Sequence, residues 1–377
     1  MKEIDEASMA VAKAAKLCRN QVVPMYPITP QTHIVERIAD FINDGDMQAE
    51  MILVESEHSA MSAAIGSAST GVRTFTATAS QGLALMHEML HIASGNRLPI
   101  VMAVANRALS APINIWNDHQ DTISARDTGW LQLYVESSQE ALDTVIQAHK
   151  IAENALLPVM VCLDGFTLSH VYEPTDVPEQ DQVDKFLPPY QPKWKLDPEN
   201  PATLGPISLP WNHMEIKEDQ QKDSLNSINI VKQVHDEFSQ QFQRSYGNGL
   251  IEQYKCEDAE TVLVCMGTVC GTARVAIDQM REQGKRVGLV KLKCFRPFPD
   301  EDLKAALKDK KNVAVFDKSL SFGLKEGPVC SEIKSALQSE KTKVKSYIIG
   351  LGGRDVTVER LVKAVDEVEK PGTGWLK

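Results

Sequence analysis

Four short segments carry side chains that could do chemistry. Tyr26-Pro27-Ile28-Thr29-Pro30 sets a hydroxyl between two prolines, whose rings stiffen the backbone and hold Thr29 ready for a ligand. The same residues also fit a plain helix start, with Thr29 as the cap and Pro30 in the first turn. Glu55-Ser56-Glu57-His58 places two carboxylates between an apolar run and a segment of Ala, Ser and Gly. Small residues there let another backbone or a flat ring come close, and the apolar run should leave one carboxylate partly buried. Ordinary first-turn charge at a helix N-terminus is the other reading of the pair. Thr76-Ala-Thr78-Ala-Ser80-Gln81-Gly82 forms a polar strand-to-helix turn whose N–H groups could hold an anion or a polar ring edge. It lacks the glycine spacing of either nucleotide loop. Asn106-Arg107 opens a polar stretch that runs to Asn117-Asp118-His119-Gln120-Asp121. Arg107 is placed to pair with a carboxylate or phosphate. His119 is either an acid–base group or a hydrogen-bonded loop histidine, and its spacing matches no recurrent metal pattern.

These segments need elements to position them. Apolar runs at Val22–Tyr26, Met51–Val54, Arg73–Thr78, Pro99–Ala105 and Pro158–Leu163 read as strands. Helical patterns cover Ile4–Asn20, Gln31–Asp44, Ser56–Thr70, Gln81–Ser94 and Gln139–Asn154. Short buried strands alternating with helices imply an α/β fold with a mostly parallel sheet covered on both faces. All four segments then lie where strands end, which is where ligands bind in such sheets. Between Pro174 and Pro210 lie nine of the chain's 19 prolines, which predicts an extended linker pinned by Trp194 and Trp211. A polar helix follows from Ile216 to Arg244. From about Asp258 a smaller α/β unit begins, with strands at Glu260–Met266, Arg286–Lys291, Asn312–Asp317 and Val344–Ile349. The expected division is therefore 1–172, a linker and polar helix over 173–250, and 251–377. In the last part Ser319–Gly323 and Gly350–Asp355 are glycine turns that hold phosphates or serve as tight structural turns.

Composition narrows the classes. The chain has 377 residues, 43% apolar and 24% charged, as in a folded globular protein. Its formal charge of −11 argues against nucleic acid or an anionic membrane as a partner. The absence of a long apolar run and of an apolar N-terminal segment leads to the expectation of a cytoplasmic protein. Seven widely spaced cysteines, with no C-x-x-C pair, do not suit an iron–sulfur cluster, which needs about four thiolates, or a zinc ribbon. No metal ligand is assigned to this chain.

Taken together and in order, the segments resemble the α subunit of the pyruvate:ferredoxin oxidoreductases, within the 2-oxoacid:ferredoxin oxidoreductase family. The resemblance rests on Tyr26–Pro30, Glu55–Glu57, Phe75–Gly82, Asn106–Ser110, Asn114–Asp121, Arg126–Trp130, Gln139–Ala141 and Leu351–Thr357, and it spans nearly the whole chain. It implies a pyrimidine-type thiamine-diphosphate domain, a doubly wound parallel sheet, followed by a transketolase C-terminal-like domain. It implies thiamine diphosphate shared with a β subunit, and further γ and δ subunits. Glu57 matches the family glutamate that bonds ring nitrogen N1′, favouring the tautomer whose exocyclic nitrogen can take a proton. Thr29 matches a substrate-contacting threonine, Arg107 an arginine near the substrate carboxylate, and Pro27 and Ile28 the wall of the ring pocket. The family's Gly-Asp-Gly loop for Mg²⁺ and diphosphate is missing, since Asp44-Gly45-Asp46 has the wrong order. Mg²⁺ and the 4Fe-4S clusters are thus expected on partner subunits. The implied reaction converts pyruvate and coenzyme A to acetyl-CoA and carbon dioxide and reduces ferredoxin. The same chemistry on a branched-chain, aryl or oxalate-type 2-oxoacid is the alternative, as is a non-catalytic assembly role.

Overall fold

The computed structural model describes residues 2–377. Its first part contains strands β1 (Lys2–Glu6), β2 (Val22–Met25), β3 (Glu50–Leu53), β4 (Phe75–Thr78), β5 (Val101–Asn106), β6 (Leu131–Tyr134), β7 (Val159–Asp164) and β8 (Tyr172–Asp176). The second part contains β9 (Ile251–Tyr254), β10 (Thr261–Cys265), β11 (Val287–Leu292), β12 (Cys294–Arg296), β13 (Asn312–Asp317), β14 (Lys343–Ile349) and β15 (Gly374–Leu376). The first sheet has the order β12-β6-β7-β5-β4, and β2-β3 continues it through a parallel bridge from Val22 to Thr74. The second sheet has the order β15-β14-β13-β10-β11-β9, parallel except at β9. Every residue of β4, β5, β7, β10, β11 and β13 is buried, as parallel strands covered on both faces require. The fold is α/β with two wound sheets, as expected.

Local differences from the expected elements have tertiary causes. The expected opening helix begins instead with β1, which pairs antiparallel with β8, Lys2 opposite Asp176 and Glu6 opposite Tyr172; the helix starts only at Ala7. The run Met51–Val54 is not a buried strand. β3 pairs only with β2 at the edge, and Leu53 is 70% exposed. The expected helix Gln81–Ser94 is broken at Met86 into Ser80–Leu85 and His87–Gly95. Trp194 and Trp211 do not pin the proline-rich segment, since both are mostly exposed. Backbone contacts hold it instead: Leu196 N donates to Ser69 O at 2.7 Å, and the Arg73 guanidinium donates to the Pro188 carbonyl.

The two parts are joined at several places. β12 leaves the second sheet and pairs antiparallel with β6 as an edge strand of the first. Beneath it, the helix Ser138–Ala155 presents Glu140, wholly buried, to Lys291 Nζ at 2.8 Å and Lys293 Nζ at 2.7 Å. Burial pushes the Glu140 carboxyl up, but Lys293 and Lys291 more than offset this and hold it at about 2. One turn on, Asp143 accepts from Arg244 Nε and Tyr246 Oη, both at 2.7 Å. All seven cysteines are free and buried, and burial raises each thiol above its ordinary pKa. Among the described residues no helix is long and apolar enough to cross a membrane.

Candidate active site

The carboxyl ends of β3, β2, β4 and β5 lie side by side, and each delivers one of the segments picked out above. After β3, Ser56 is extended (φ −160°, ψ 162°) and its hydroxyl accepts from Ser59 N at 3.2 Å, which caps the helix Glu57–Ser69. The cap separates the two acids. Glu55 stays exposed, bonded to the Ser59 hydroxyl, which lowers its carboxyl pKa. Glu57 is turned inward and is 7% exposed. Among the described residues no donor bonds its carboxylate. Ala60, Met61, Ala64 and Ala68 bury the inner face of its helix.

After β4, Gly82 backs directly onto Glu57. A Cβ at this position would stand 2.8 Å from Glu57 Cγ and Oε1 and 2.4 Å from Thr78 Oγ1. The hydroxyl of Thr78 and the amide nitrogen of Gln81 are buried without a hydrogen-bond partner. Buried polar groups are rarely left so. Here the two lie on the same strand-to-helix turn as Gly82, the glycine that backs onto an unpaired carboxylate, an arrangement that fits the polar edge of a flat heteroaromatic ring.

After β2, the Pro27–Pro30 loop is fixed to β4. Gln31 Nε2 donates to Ala77 O at 2.7 Å and Gln31 Oε1 accepts from Ile28 N at 3.3 Å. Pro27 and Thr29 are exposed and Ile28 half-buried. Thr29 does not cap the helix, which opens at Thr32 after Gln31. After β5, Arg107 is 8% exposed, and its Nη1 donates to Thr29 O at 3.0 Å while Nε donates to Asn114 O at 3.0 Å. Burial lowers its pKa, partly offset by Asp121. The structure therefore joins Arg107 to Thr29 and sets Glu57 against Thr78 and Gly82; no bond links the two groups, which share β4 as their support. Asp44-Gly45-Asp46 is exposed at the end of the helix Thr32–Asn43 and takes no part.

Two buried acids near these strand ends, Asp121 beneath Arg107 and Asp164 at the end of β7, had no assigned role in the sequence. Asp121 is 1% exposed. Its Oδ2 accepts from Ser80 N and Arg107 N, both at 3.0 Å, and its Oδ1 from Asn106 Nδ2 at 2.7 Å and Thr122 N at 2.8 Å. It thereby clamps the ends of β4 and β5 together and holds Ser80 in the left-handed region at φ 47°. Burial raises its carboxyl to about 6 despite these bonds. Asp164, the last residue of β7, accepts from His119 Nε2 at 2.7 Å, Lys318 Nζ at 3.0 Å and Thr268 N at 3.1 Å. Burial alone would raise its carboxyl, but Lys318 and His119 hold it far below the ordinary range. An aspartate closing the apolar run Val-Met-Val-Cys-Leu was its visible signal. His119 is thus a buried structural histidine whose main-chain N–H also donates to Lys318 O at 2.8 Å. The glycine turns are structural too. Gly352 N bonds Asp118 Oδ2 at 3.1 Å, Gly353 N bonds Asn117 O at 2.7 Å, and Leu320 pairs with the Gln120 amide.

Residues 13–236 match the family model of the pyruvate flavodoxin/ferredoxin oxidoreductase, thiamine diphosphate-binding domain. The chain belongs to the pyruvate:ferredoxin oxidoreductase family. Residues 259–361 match that family's core domain II. Pyruvate synthase subunit PorA of Methanocaldococcus jannaschii is 55% identical over 364 residues, covering 96% of this chain and 93% of that protein. PorA of Pyrococcus furiosus is 48% identical, over 98% and 94%. The ketoisovalerate oxidoreductase subunit VorA of Pyrococcus horikoshii is 46% identical, over 97% and 93%. Among solved structures, the 2-oxoglutarate:ferredoxin oxidoreductase of Magnetococcus marinus superposes with a TM-score of 0.75 at 20% identity, over 97% of this chain. This chain spans 65% of that chain's length. A split-gene transketolase, as an inactive β4 tetramer, superposes with a TM-score of 0.58 at 13% identity over 96% of this chain and 97% of its own. The first wound sheet therefore lies in the family's thiamine diphosphate-binding domain and most of the second in its core domain II.

Proposed function

We propose that this chain is the α subunit of a thiamine-diphosphate-dependent complex that oxidatively decarboxylates pyruvate with coenzyme A, giving acetyl-CoA and carbon dioxide and reducing ferredoxin. The observation that carries the catalytic role is the buried Glu57 carboxylate, unpaired and backed by Gly82. The substrate rests on near-full-length likeness to pyruvate synthase subunits.

Thiamine diphosphate, when bound, supplies the electron sink that lets a 2-oxoacid lose carbon dioxide. Glu57 is the residue of this chain assigned to ring nitrogen N1′. A desolvated carboxylate there accepts a strong hydrogen bond and holds the proton on that nitrogen. Pro27 and Ile28 line the ring pocket, and Thr78 and Gln81 offer the unsatisfied polar groups along its edge. Arg107, fixed by the Asn114 and Thr29 carbonyls, presents its charge to the substrate carboxylate, and the exposed Thr29 hydroxyl contacts the substrate. Asp121 positions Arg107 and the Ser80 turn without touching substrate.

The other half of the site belongs to partners. Exposed apolar side chains rim its open edge, Leu53 and Leu85 beside Glu57 and Ile113 and Trp116 beside Arg107, which suits closure by a β subunit. That subunit would carry Mg²⁺ and the diphosphate site, and γ and δ subunits the remaining parts, with 4Fe-4S clusters between the site and ferredoxin. Seven buried free thiols suit a reducing cytoplasm. The chain divides functionally into 1–172 for the pyrimidine ring, 173–250 as a connecting arm and 251–377 for assembly.

The test is Glu57→Gln in the assembled complex. It should lower kcat roughly 10²- to 10⁴-fold, the usual span for a proton-transfer group, with subunit composition unchanged. Near-normal turnover would remove Glu57 from the mechanism. The likeness to VorA supports a branched-chain substrate as second reading. Higher kcat/KM for 2-ketoisovalerate than for pyruvate in the native complex would select it.

A further inference from the structure

We propose that Glu6, His33 and His170 form a binding site for one divalent transition-metal ion of the zinc class, outside the active site. The three side chains come from separate segments: Glu6 ends β1, His33 lies in the first turn of the helix Thr32–Asn43, and His170 lies in the turn after β7. One ligand atom from each lies within 4.8 Å of the other two. Three protein ligands at zinc bond lengths of ~2.0–2.1 Å, set tetrahedrally, stand roughly 3.4 Å apart. Glu6 Oε1 and His33 Nδ1 are already at 2.5 Å, and the rings of His33 and His170 overlap with centroids 4.2 Å apart. Side-chain movements of about 1 Å therefore reach the geometry, and both histidines are only half-buried, so they are free to make them.

The chemistry around the cluster favours a cation. Glu6 is 3% exposed, yet it does not cap the helix that follows it, and among the described residues its carboxylate bonds only His33. A buried carboxylate with one partner keeps most of its acceptor capacity unused. The Ser169 hydroxyl sits 2.7 Å from His170 Nδ1 and accepts from Phe166 N at 2.8 Å. A hydroxyl so placed can accept a hydrogen bond from Nδ1–H and leave Nε2 free for a metal, as ligating histidines usually arrange it. The Phe166 ring packs 4.8 Å from His170 and shields one side. Two imidazoles and one carboxylate suit zinc or a similar borderline ion, and they leave a fourth position open. An ion here would tie the β1–β8 ribbon to the helix that starts just after the Pro27–Pro30 loop, and so brace that loop from behind.

The test uses the full chain stripped with a chelator, then titrated with Co²⁺ by visible absorption and with Zn²⁺ by calorimetry. One equivalent of each should bind, and Zn²⁺ should raise the melting temperature. His33→Ala and His170→Ala should each weaken binding roughly 100-fold or more, since even outer-shell partners are worth 10- to 100-fold. The exposed pair His87 and His91, with rings 5.2 Å apart one helical turn from each other, is the competing site. His91→Ala should leave the tight equivalent intact. Failure to bind one equivalent, or loss of binding in His91→Ala with retention in His170→Ala, would overturn the proposal. Circular dichroism of each variant, with His170→Asn as a second substitution, separates a lost ligand from a lost fold.

Discussion

Gly82→Ala sets helix propensity against active-site packing, and the two pull in opposite directions. Gly82 lies inside the helix Ser80–Leu85 with an ordinary helical φ, so propensity alone would make alanine more stable by about 0.5–1 kcal/mol. The new Cβ, however, would stand 2.4 Å from Thr78 Oγ1 and 2.8 Å from Glu57 Oε1, where ordinary contact begins at 3.4 Å. The backbone has little room to retreat, because Gly82 N bonds Ala79 O at 2.9 Å and Gly82 O accepts from Met86 N at 3.0 Å. The side chains must yield instead. Overpacking costs ~1–3 kcal/mol, which the gain in propensity partly offsets, so the fold should survive with a modest drop in melting temperature. The carboxylate of Glu57, pushed aside by about 1 Å, loses its alignment, and misplacement on that scale costs roughly 10²-fold in rate. The assay is anaerobic, coenzyme A-dependent carbon dioxide release by the complex, beside a thermal melt of the same preparation. A kcat within twofold of the parent would refute the claim that this packing sets the Glu57 carboxylate.

Arg107→Ala should raise KM for the 2-oxoacid roughly 10- to 100-fold, the worth of a hydrogen bond to a charged partner, and an unchanged KM would leave Arg107 a purely structural anchor of the Thr29 loop. Glu140→Gln, which leaves Lys291 and Lys293 without their shared carboxylate, should cost ~3–5 kcal/mol in denaturant unfolding. Because the Glu140 carboxyl is depressed to about 2, its contribution is complete above its ordinary value of 4.5 and is lost as pH falls from there towards 2, a swing of about 3 kcal/mol that the variant should lack. Asp121 acts in the opposite sense: raised from 3.8 to about 6, its burial weighs on stability only as pH rises through that window. Asp121→Asn should flatten this slope yet still destabilise, since its NH2 would face one donor pair, Ser80 N with Arg107 N or Asn106 Nδ2 with Thr122 N, and leave it without an acceptor.

What the sequence revealed was governed by local rules. Apolar runs such as Pro99–Ala105 and Asn312–Asp317 read directly as buried strands of a mostly parallel sheet, and Ser56 followed by Glu57 and a run of small residues marked both the helix start and the acid it carries. What stayed hidden depends on residues far apart in the chain. β1 is a strand only because Tyr172–Asp176 lies beside it, and Cys294–Arg296 joins the first sheet by an antiparallel pairing with β6. The meeting of Glu6, His33 and His170 has no sequence spacing to betray it. Trp194 and Trp211 misled because a large aromatic ring suggests anchoring, whereas the arm is held by main-chain bonds that any residue could make.

The seven buried thiols give the protein a built-in clock for unfolding. The thiolate is the reactive form, and burial suppresses both its population and its access at every one of these cysteines. The native chain should therefore be silent to maleimide or peroxide, and each opening event should expose reactive sulfur in proportion to how much of the fold has come apart. Cys18 and Cys162 report on the first sheet, Cys265 and Cys330 on the second, and Cys294 on β12, the edge strand that the later part of the chain adds to the first sheet. Sites that become labelled together open as one cooperative unit, and those labelled at different times mark where the molecule parts first. Such a chain would tolerate brief exposure to air as a protein.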